Sequence, residues 1–366
     1  AVHPIRIEAP IPGKSLVGIE VPNKIRAQVR LKELLSSSQF QGSVSSLAFV
    51  LGKNVSGNQV YADLARMPHL LVAGSTGTGK TIFLNSLILS LLYRNSPLIL
   101  RLILVDPKRV EFPVYNELPH LLCPVIFDAQ KTVNALKWLI LEMERRFGVL
   151  SAEKSRDIAG FNESVLREGR EPLPYIVVII DELADLMASR GREVEAEIVR
   201  LAQMARAVGI HLVVATQRPS VEVVTGLIKA NITARITFQV ASQVDSRTIL
   251  DMAGAEKLLG FGDLLFLSAE VGKPRRIQGA YVSEKEVKKV VNWLKLKVPT
   301  EKIKVEEGIS ENTLAVDLEK TLELPQSELA SAYGEGDPLL EEAKRVVIEA
   351  KKASASLLQR RLKVGY

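Results

Sequence analysis

The chain has 366 residues, of which 47% are hydrophobic, so it can bury a large core, and its formal net charge is +6. It has no apolar run of 18 residues, which argues against a membrane span, and its single cysteine excludes an internal disulfide. Its four histidines lack the spacing of metal ligands. This length predicts two or three domains, and the chain begins without Met, so we expect a piece of a longer protein.

Charge is unevenly distributed along the chain. Residues 301–337 carry ten acidic and three basic side chains, whereas residues 338–366 carry seven basic and three acidic ones. The basic excess, +9, therefore lies in residues 1–300. A basic body suits a polyanionic partner, but it is also common in proteins that bind none, so charge alone does not decide.

The first 52 residues combine prolines, an edge strand at 5–8 and a short amphipathic helix at 29–35, which together predict a small α+β domain. From about residue 55 to 298, short apolar strands alternate with helices, which predicts a doubly wound, mostly parallel sheet of the α/β class. The predicted strands span 69–73, 101–105, 124–127, 175–180, 211–216, 234–240 and 263–267. The predicted helices span 82–94, 131–149, 193–207 and 284–297.

The last part of the chain changes in composition. Residues 299–336 are acidic, contain Pro and Gly, and have few large apolar side chains, which predicts a flexible linker. Asp337 and Pro338 then open an amphipathic helix, and Ser354 caps a second, basic helix. Two such helices are typical of the start of a helix-turn-helix, whose recognition helix would come next.

One stretch fits the phosphate-binding loop pattern G-x-x-x-x-G-K-[ST], and it lies between an apolar strand and an apolar helix, as that motif requires. Its glycines let successive backbone N–H groups wrap a polyphosphate at a helix N-terminus. Lys80 is placed to reach the β- and γ-phosphates, and Thr81 offers a hydroxyl to Mg²⁺. The residues that we predict to bind nucleotide are Gly74, Ser75, Thr76, Gly77, Thr78, Gly79, Lys80 and Thr81.

The apolar strand at 175–180 ends in two acids, Asp181 and Glu182. Ligands bind at the carboxyl ends of the strands in an open α/β sheet. At that edge Asp181 can hold Mg²⁺ beside Thr81, and Glu182 can polarise the attacking water. Alone, the pair is also typical of a strand-to-helix cap, but its position after a phosphate-binding loop favours the catalytic interpretation.

Further polar groups follow two other predicted strands at the same edge. Gln217 is placed to sense the γ-phosphate, although a plain turn before Arg218 would have the same residues. The run Asp-Pro-Lys-Arg at 106–109 could contact nucleotide, contact a neighbouring subunit or cap the turn, and the sequence leaves these readings open.

Phosphoryl transfer to water usually requires an additional cation, which an arginine from a neighbouring subunit can supply. Arg206, at the end of the helix predicted at 193–207, and Arg235, at the start of a strand, are both candidates. A solvated arginine at a helix end is the alternative.

Residues 218–257 are rich in basic and small polar side chains. Such side chains bind phosphates without reading bases, although a polar, turn-rich face is usually only a solvated surface. The candidate contacts with nucleic acid, on or beside predicted turns, are Lys229, Asn231, Gln243, Ser246, Arg247 and Lys257.

Eight sequence runs together resemble the FtsK/SpoIIIE family of DNA translocases, and the resemblance covers nearly the whole chain. The runs are MPHLLVAGSTGTGK at 67–80, VDPK at 105–108, PYIVVIIDELADL at 174–186, ARAVGIHL at 205–212, ATQRPS at 215–220, GLIKANI at 226–232, DSRTILD at 245–251 and GAEKLLG at 254–260.

The resemblance implies a RecA-like P-loop NTPase that hydrolyses ATP with Mg²⁺ in dependence on DNA. It implies a homo-hexameric ring with double-stranded DNA in its pore, in which Arg206 acts in trans and Arg218 and the loop around Gln243 face the DNA. The domains that it implies are an α domain at 1–52, a β motor domain at 53–298 and, beyond the linker at 299–336, the start of a winged-helix γ domain at 337–366.

Three departures from the family pattern bear on these expectations. Gln243 stands where relatives often carry Lys, the segment 167–174 is shorter than in several relatives, and the γ domain would end before its recognition helix. The membrane-spanning N-terminal region of the family is also missing, so we expect the cytoplasmic portion of a membrane-anchored protein. A site-specific recombinase is a further partner implied through the γ domain, and no small-molecule substrate other than nucleotide is expected.

The sequence therefore predicts an ATP-driven DNA translocase that moves chromosomal DNA at division or sporulation. One alternative is a conjugative or secretion coupling ATPase with a similar ring, against which the helix-turn-helix start argues. The other is a nucleotide-gated DNA clamp that does not translocate, against which the complete set Lys80, Thr81, Asp181 and Glu182 argues.

Overall fold

The structure, a computed structural model, describes residues 5–9, 11, 15–23, 27–270, 272–297, 311–325 and 348. The strands are β1 (Arg6–Glu8), β2 (Gly18–Glu20), β3 (Ala48–Asn54), β4 (Gln59–Asp63), β5 (His69–Ala73), β6 (Leu100–Val105), β7 (Tyr175–Ile180), β8 (Ile210–Thr216), β9 (Ala234–Phe238), β10 (Asp263–Leu267) and β11 (Arg275–Gly279).

The α-helices are α1 (Leu31–Leu35), α2 (Ser38–Gln41), α3 (Lys80–Arg94), α4 (Ala129–Ala152), α5 (Ile158–Arg167), α6 (Leu183–Met204), α7 (Gly226–Asn231), α8 (Gln243–Leu250), α9 (Glu284–Lys297) and α10 (Glu311–Glu323). Short 3₁₀ turns lie at Pro113–Tyr115, Ala205–Val208 and Ala255–Lys257. Among the described helices, none is long and apolar enough to cross a membrane.

Nine strands form one sheet in the order β4-β3-β11-β10-β9-β5-β8-β7-β6. The strands from β9 to β6 are parallel to one another. The strands from β4 to β10 form an antiparallel half, which joins the parallel half at β9. The predicted α/β class, with parallel strands around the phosphate-binding loop, is confirmed, and the complete sheet is mixed.

Helices cover both faces of the parallel half, so alternate residues of each strand enter different cores. In β5, Leu71 and Ala73 pack in the core that contains α4 and α6, whereas Leu70 and Val72 pack in the core that contains α3 and α9. Burial on both faces explains why these strands are continuous apolar runs in the sequence. The carboxyl ends of the strands are thereby held rigidly at one edge.

The prediction of a strand at 124–127 is wrong. Only one bridge forms there, between Ile126 and Val105 at the end of β6. Pro124 has no N–H to donate, and the N–H of Val125 donates to the side chain of Asn116 at 2.9 Å instead of to a strand. A ladder therefore cannot extend beyond the single bridge.

The predicted flexible linker contains a docked helix, which corrects that reading for residues 311–325. Leu314, Leu318 and Leu322 of α10 are buried in the core beside α4. The side-chain amide of Asn134 donates to the carbonyl oxygens of Thr321, Leu322 and Leu324 at 3.2–3.3 Å. A leucine every fourth residue forms the buried stripe, while the acidic residues between them gave the segment its linker-like composition.

Other boundaries differ less. The predicted border between residues 52 and 53 falls inside β3, which pairs with β4 and β11 in the large sheet. The helix predicted at 193–207 begins earlier, at Leu183, and contains a kink at Arg190. The helices predicted between 337 and 366 lie, apart from residue 348, outside the described residues.

Candidate active site

The phosphate-binding loop connects β5 to α3, and its glycines are needed for close packing. A Cβ atom at Gly74 would lie 2.6 Å from the Cβ of Phe238, and one at Gly79 would lie 2.7 Å from the Cα of Gly262. Gly77 and Gly79 have φ angles of 78° and 126°, which favour glycine. The loop therefore holds the conformation in which backbone N–H groups can surround an anion.

Lys80 begins α3 and points across the sheet edge to β7. Its ammonium donates to the backbone carbonyl of Asp181 at 2.6 Å and to Asp181 Oδ1 at 2.9 Å. Both side chains are almost wholly buried, with 3% and 1% exposure. Burial raises the pKa of Asp181, Lys80 opposes that shift, and the neighbouring Asp106 and Glu182 carboxylates add to it.

Thr81 donates its hydroxyl hydrogen to Glu111 Oε1 at 2.8 Å. Glu111 follows β6, and its own N–H donates to Asp106 Oδ2 at 2.9 Å. Burial raises the pKa of Glu111, against the opposing hydrogen bond from Thr81. Sequence analysis missed Glu111, because it follows the strand-end acid Asp106 by five residues and only the turn brings it back to the loop.

The side chains of the run at 106–109 contact the turn after β6 and nearby residues of the same chain. Asp106 is fully buried and accepts the backbone N–H groups of Glu111 and Phe112. Lys108 donates to Glu182 Oε2 at 3.1 Å. Arg109 lies over the ring of Phe127 at 5.0 Å. The prediction that the run caps its turn is thus correct for Asp106, whereas Lys108 contacts the predicted base Glu182.

Glu182 is fully buried and accepts hydrogen bonds from three directions. Thr216 Oγ1 donates to its Oε1 at 2.6 Å, the backbone N–H of Gln217 lies 3.1 Å from the same oxygen, and Lys108 contacts the other oxygen. Burial raises the pKa of Glu182, but these bonds and the charge of Lys80 outweigh it, and the pKa is lowered. Glu182 is therefore an oriented carboxylate, and it is also the N-cap of α6.

Gln217 connects two parts of the site. Its Oε1 accepts a hydrogen bond from Thr76 Oγ1 of the phosphate-binding loop at 2.7 Å, while its backbone N–H donates to Glu182. The residue predicted as a sensor thus touches both the loop and the predicted base. The structure brings together Lys80, Thr81, Asp181, Glu182 and Gln217 at one sheet edge.

The two candidate arginines differ in surroundings. Arg206 is exposed in the 3₁₀ turn before β8, at the edge opposite the phosphate-binding loop, because β5 and β8 run parallel. Five residues of strand, about 16 Å, separate the two edges. Arg235 is buried and donates to Asp251 at 2.6 Å and to the carbonyl of Ile249 at 2.8 Å. Arg235 is therefore a structural residue, and the suggestion that it acts in trans is wrong.

The predicted nucleic-acid contacts lie mainly on short helices, not on turns as the sequence suggested. Arg218, Gln243, Arg247 and Lys257 are exposed. Three others are already engaged within the chain. Lys229 pairs with Asp251 at 2.8 Å, Ser246 is fully buried and donates to the carbonyl of Met252, and Asn231 donates to the carbonyl of Leu227.

Comparison with solved structures identifies the class. The chain is similar to the pCW3 conjugation coupling protein TcpA in its monomer form with ATPγS, with a TM-score of 0.63 and 26% identity over 79% of this chain and 81% of that one. It is also similar to the cytoplasmic domain of the Thermomonospora curvata type VII secretion ATPase EccC, with a TM-score of 0.64 and 23% identity over 74% and 34% of the two chains. The fold and site are those of a RecA-like P-loop ATPase.

The FtsK/SpoIIIE family model matches residues 30–221, and the Ftsk gamma domain model matches residues 334–366. The chain belongs to the FtsK/SpoIIIE family. DNA translocase FtsK of Clostridium tetani is 50% identical over 100% of this chain and 48% of its own length. DNA translocase SpoIIIE of Bacillus subtilis is 50% identical over 100% and 45%. The chain thus spans about half the length of the curated relatives it matches.

The buried pair of Lys80 and Asp181 gives a prediction about stability. We expect Lys80→Ala to lower the free energy of unfolding of the nucleotide-free protein by about 3–5 kcal/mol at neutral pH, because a buried carboxylate loses its cation. Loss of the ammonium raises the pKa of Asp181 further above its unfolded value of about 3.9. The deficit therefore grows as the pH rises above that value and shrinks as the pH falls.

Denaturant titrations of the variant and the parent at pH 5 and pH 7.5 measure this difference. In the double variant Lys80→Ala/Asp181→Asn the deficit should be smaller and should not grow as the pH rises, because the carboxylate is absent. An equal deficit of the single variant at both pH values would contradict the assignment to an uncompensated Asp181 charge.

Proposed function

We propose that this chain is the motor portion of an ATP-driven double-stranded DNA translocase, assembled as a homo-hexameric ring and used in chromosome segregation. The observation that carries the proposal is the connected set of Lys80, Asp181, Glu182 and Gln217 at one sheet edge. This set occurs in a chain that is about 50% identical to relatives named DNA translocases.

ATP and Mg²⁺ fit the residues that are present. Asp181 Oδ2 is buried and has no hydrogen-bond partner among the described residues, so an oxygen ligand is available. The hydroxyl hydrogen of Thr81 is directed to Glu111, which leaves the oxygen lone pairs to a cation. We assign Thr81 and Asp181 to Mg²⁺ and the loop at 74–81 to the phosphates. When bound, the ion supplies positive charge beside the β- and γ-phosphates.

Glu182 is the proposed base. Its lowered pKa keeps it ionised at neutral pH, and its contacts with Thr216 and Gln217 fix its orientation. Gln217 is the proposed sensor, because the hydroxyl of Thr76 donates a hydrogen bond to its side chain. A γ-phosphate at the loop would compete for that hydrogen bond. Displacement of Gln217 would then reach Glu182 through the shared backbone bond.

The test of the proposed activity is DNA-stimulated ATP hydrolysis, followed by displacement of a third strand from a triplex. We expect the parent to hydrolyse ATP faster with duplex DNA and to displace the triplex. Glu182→Gln should still bind ATP and DNA but lose about 10²–10⁴-fold in turnover, because the water has no base.

The control is Glu193→Gln on the half-buried part of α6, which should hydrolyse ATP like the parent. Turnover of Glu182→Gln at the parent rate would remove Glu182 from the base role. DNA-stimulated hydrolysis without triplex displacement would favour the non-translocating clamp.

Arg206 is the proposed trans-acting cation, and this role requires a ring. It is exposed at the edge opposite its own phosphate-binding loop, so a neighbouring subunit is the site that it can reach. In hexamers that contain both variants, Arg206→Ala and Lys80→Ala subunits should recover part of the activity that each lacks alone. At some interfaces an Arg206→Ala subunit, which keeps its nucleotide site, then lies beside a Lys80→Ala subunit, which keeps Arg206. Mixed rings, verified by mass, that stay inactive would contradict the trans role.

The exposed side chains Arg218, Gln243, Arg247 and Lys257 are the proposed DNA contacts. Their chemistry suits phosphates, so binding should ignore base identity and weaken steeply with salt. The match of residues 334–366 to the Ftsk gamma domain supports the proposed winged helix, through which a site-specific recombinase is a further proposed partner.

We expect Arg218→Ala to reduce the slope of log K against log[salt] by about one per arginine that contacts DNA, and to weaken binding to all duplexes alike. Each subunit of the ring carries one Arg218, so the total change in slope gives the number of Arg218 side chains that contact DNA at the same time. Titrations of two unrelated duplexes of equal length across a salt series, with a non-hydrolysable ATP analogue, measure the slopes.

The matched control is Arg167→Ala, an exposed arginine on α5 that pairs with Glu163 within its own helix. This variant should keep the parent slope. A flat salt dependence in the parent, or a tenfold preference for one duplex, would contradict a pore that grips phosphates.

A coupling ATPase for conjugation is the second candidate, because a chain named as a conjugation coupling protein is 26% identical to this one. The match of residues 334–366 to the Ftsk gamma domain and the higher identity to named DNA translocases favour the first proposal.

A further inference from the structure

The turn that carries Arg206 is held from inside the core by a second arginine. Arg206 lies in the short 3₁₀ helix between α6 and β8, and the residues at its two ends, Ala205 and Val208, are fully buried. Arg146 of α4 is also fully buried, and its Nη1 donates to the carbonyl of Val208 at 2.9 Å. An exposed arginine thus lies on a turn whose last carbonyl is fixed by a buried one.

We propose that Arg146 is a positioning residue for hydrolysis in the neighbouring subunit. It fixes the turn at 205–208, and thereby the place from which Arg206 reaches the neighbour's nucleotide. The inference rests on the proposed function, since it takes Arg206 to act in trans. It adds a residue that is buried in its own subunit and acts on the neighbour only through Arg206.

One guanidinium nitrogen joins the two chain segments that enter β7 and β8. Nη1 of Arg146 donates to the carbonyl of Pro174, just before β7, at 2.8 Å, and also to the carbonyl of Val208, just before β8. These strands are parallel neighbours in the sheet, so both carbonyls lie at the edge opposite the phosphate-binding loop. Arg146 therefore fixes the turn relative to the sheet that carries the hydrolysis site.

The turn is only weakly held by its own hydrogen bonds. A 3₁₀ helix has poorer hydrogen-bond geometry than an α-helix, and here the N–H of Gly209 lies 3.3 Å from the carbonyl oxygen of Arg206. Gly209 has a φ angle of 73°, the left-handed conformation in which the chain leaves the turn for β8. The backbone of Arg206 therefore depends on the contact between Val208 and Arg146.

Stability alone does not account for a buried guanidinium at this place. Arg146 Nε donates to Glu142 Oε1 at 2.6 Å, whereas its Nη2 is buried and has no hydrogen-bond partner among the described residues. A buried ion pair is often no more stabilising than apolar side chains of the same volume, and an unsatisfied buried donor costs stability. The benefit of Arg146 is therefore geometric, because an apolar side chain could not hold the two carbonyls.

Two buried histidines near this edge do not act as cations beside Arg206. His69 begins β5, and His211 is the second residue of β8. Burial lowers the pKa of His69 to about 3 and that of His211 to about 4, and the charge of Arg206 contributes to both shifts. Both rings are therefore neutral at neutral pH, and Arg206 is the cation that this turn presents.

The rate of DNA-stimulated ATP hydrolysis gives the first measurement. Arg146→Lys keeps the buried charge but replaces the planar fork by a single ammonium, so it should displace the turn. We expect kcat to fall about 10²-fold, which is the effect of a misplacement by about 1 Å. The matched control is Arg145→Lys. Arg145 donates to the same carboxylate, that of Glu142, at 2.6 Å and 2.8 Å, and its variant should keep the parent kcat.

Mixed hexamers, verified by mass, show in which subunit the defect acts. Arg146→Lys subunits should recover activity with Lys80→Ala subunits, which keep a correctly placed Arg206. With Arg206→Ala subunits they should gain nothing, because neither kind of subunit supplies a placed arginine. Damage to the variant's own nucleotide site would give the reverse pattern, with recovery beside Arg206→Ala, and that pattern would overturn the inference.

A second variant and one comparison complete the experiment. Arg146→Gln keeps an amide donor without the charge and should show the same pattern in mixed hexamers. Failure of both Arg146 variants to assemble would assign the residue to folding and also overturn the inference. If Arg206→Ala rings hydrolyse ATP like the parent, the trans role fails and the inference fails with it. If Arg206→Ala rings are inactive while Arg146→Lys keeps the parent kcat, the inference alone fails.

Discussion

The buried ion pair between Lys80 and Asp181 is the interaction on which the site depends. It joins the first residue of α3 to the end of β7, although β8 lies between β7 and β5 in the sheet. Both partners have left water almost completely, so the pair is stable only because the ammonium donates to two oxygens of Asp181 at once. A nucleotide that draws Lys80 to its phosphates must supply another cation to Asp181, which is the place that we assign to Mg²⁺.

The remaining acids at this edge are each satisfied in a different way. Asp106 accepts hydrogen bonds from two backbone N–H groups of its own turn. Glu182 accepts hydrogen bonds from Thr216, Gln217 and Lys108. These partners separate the roles of the carboxylates. The pKa of Asp181 is raised by burial and that of Glu182 is lowered by its hydrogen bonds, so one carboxylate is short of positive charge and the other is already stabilised as an anion.

The parts of this arrangement that the sequence predicts are those with local causes. The glycine pattern at 74–81, the apolar strands buried on both faces, and the acids that end β7 follow from neighbouring residues alone. The position of Glu111, the docking of α10 and the absence of the strand predicted at 124–127 depend instead on contacts between residues that are distant in the sequence. Glu111 reaches Thr81 only after a turn, α10 is defined by α4, and the N–H of Val125 is captured by Asn116.

The basic side chains also show that local sequence patterns do not reveal contacts between distant residues. Lys229 and Arg235 are basic residues that suit a nucleic-acid contact or a catalytic cation, yet both pair with Asp251 within the chain. Sequence composition gives the number of basic side chains. Whether a basic side chain is free to bind DNA or nucleotide depends on whether the fold places an acidic side chain beside it. Arg218 and Arg206 are distinguished from this pair by exposure, which no local pattern in the sequence reveals.

The N-terminal hairpin of β1 and β2 is tied to the same region of the motor by charge. Arg276 of β11 donates to Glu20 of the hairpin at 2.6 Å and to Asp263 at 2.7 Å and 3.0 Å. Asp263 in turn accepts the N–H of Leu259, at the start of the segment that carries Gly262. Hydrogen bonds to charged groups contribute about 1.5–3 kcal/mol each. The hairpin therefore cannot move away from β11 without either breaking such bonds or displacing the segment that touches the phosphate-binding loop.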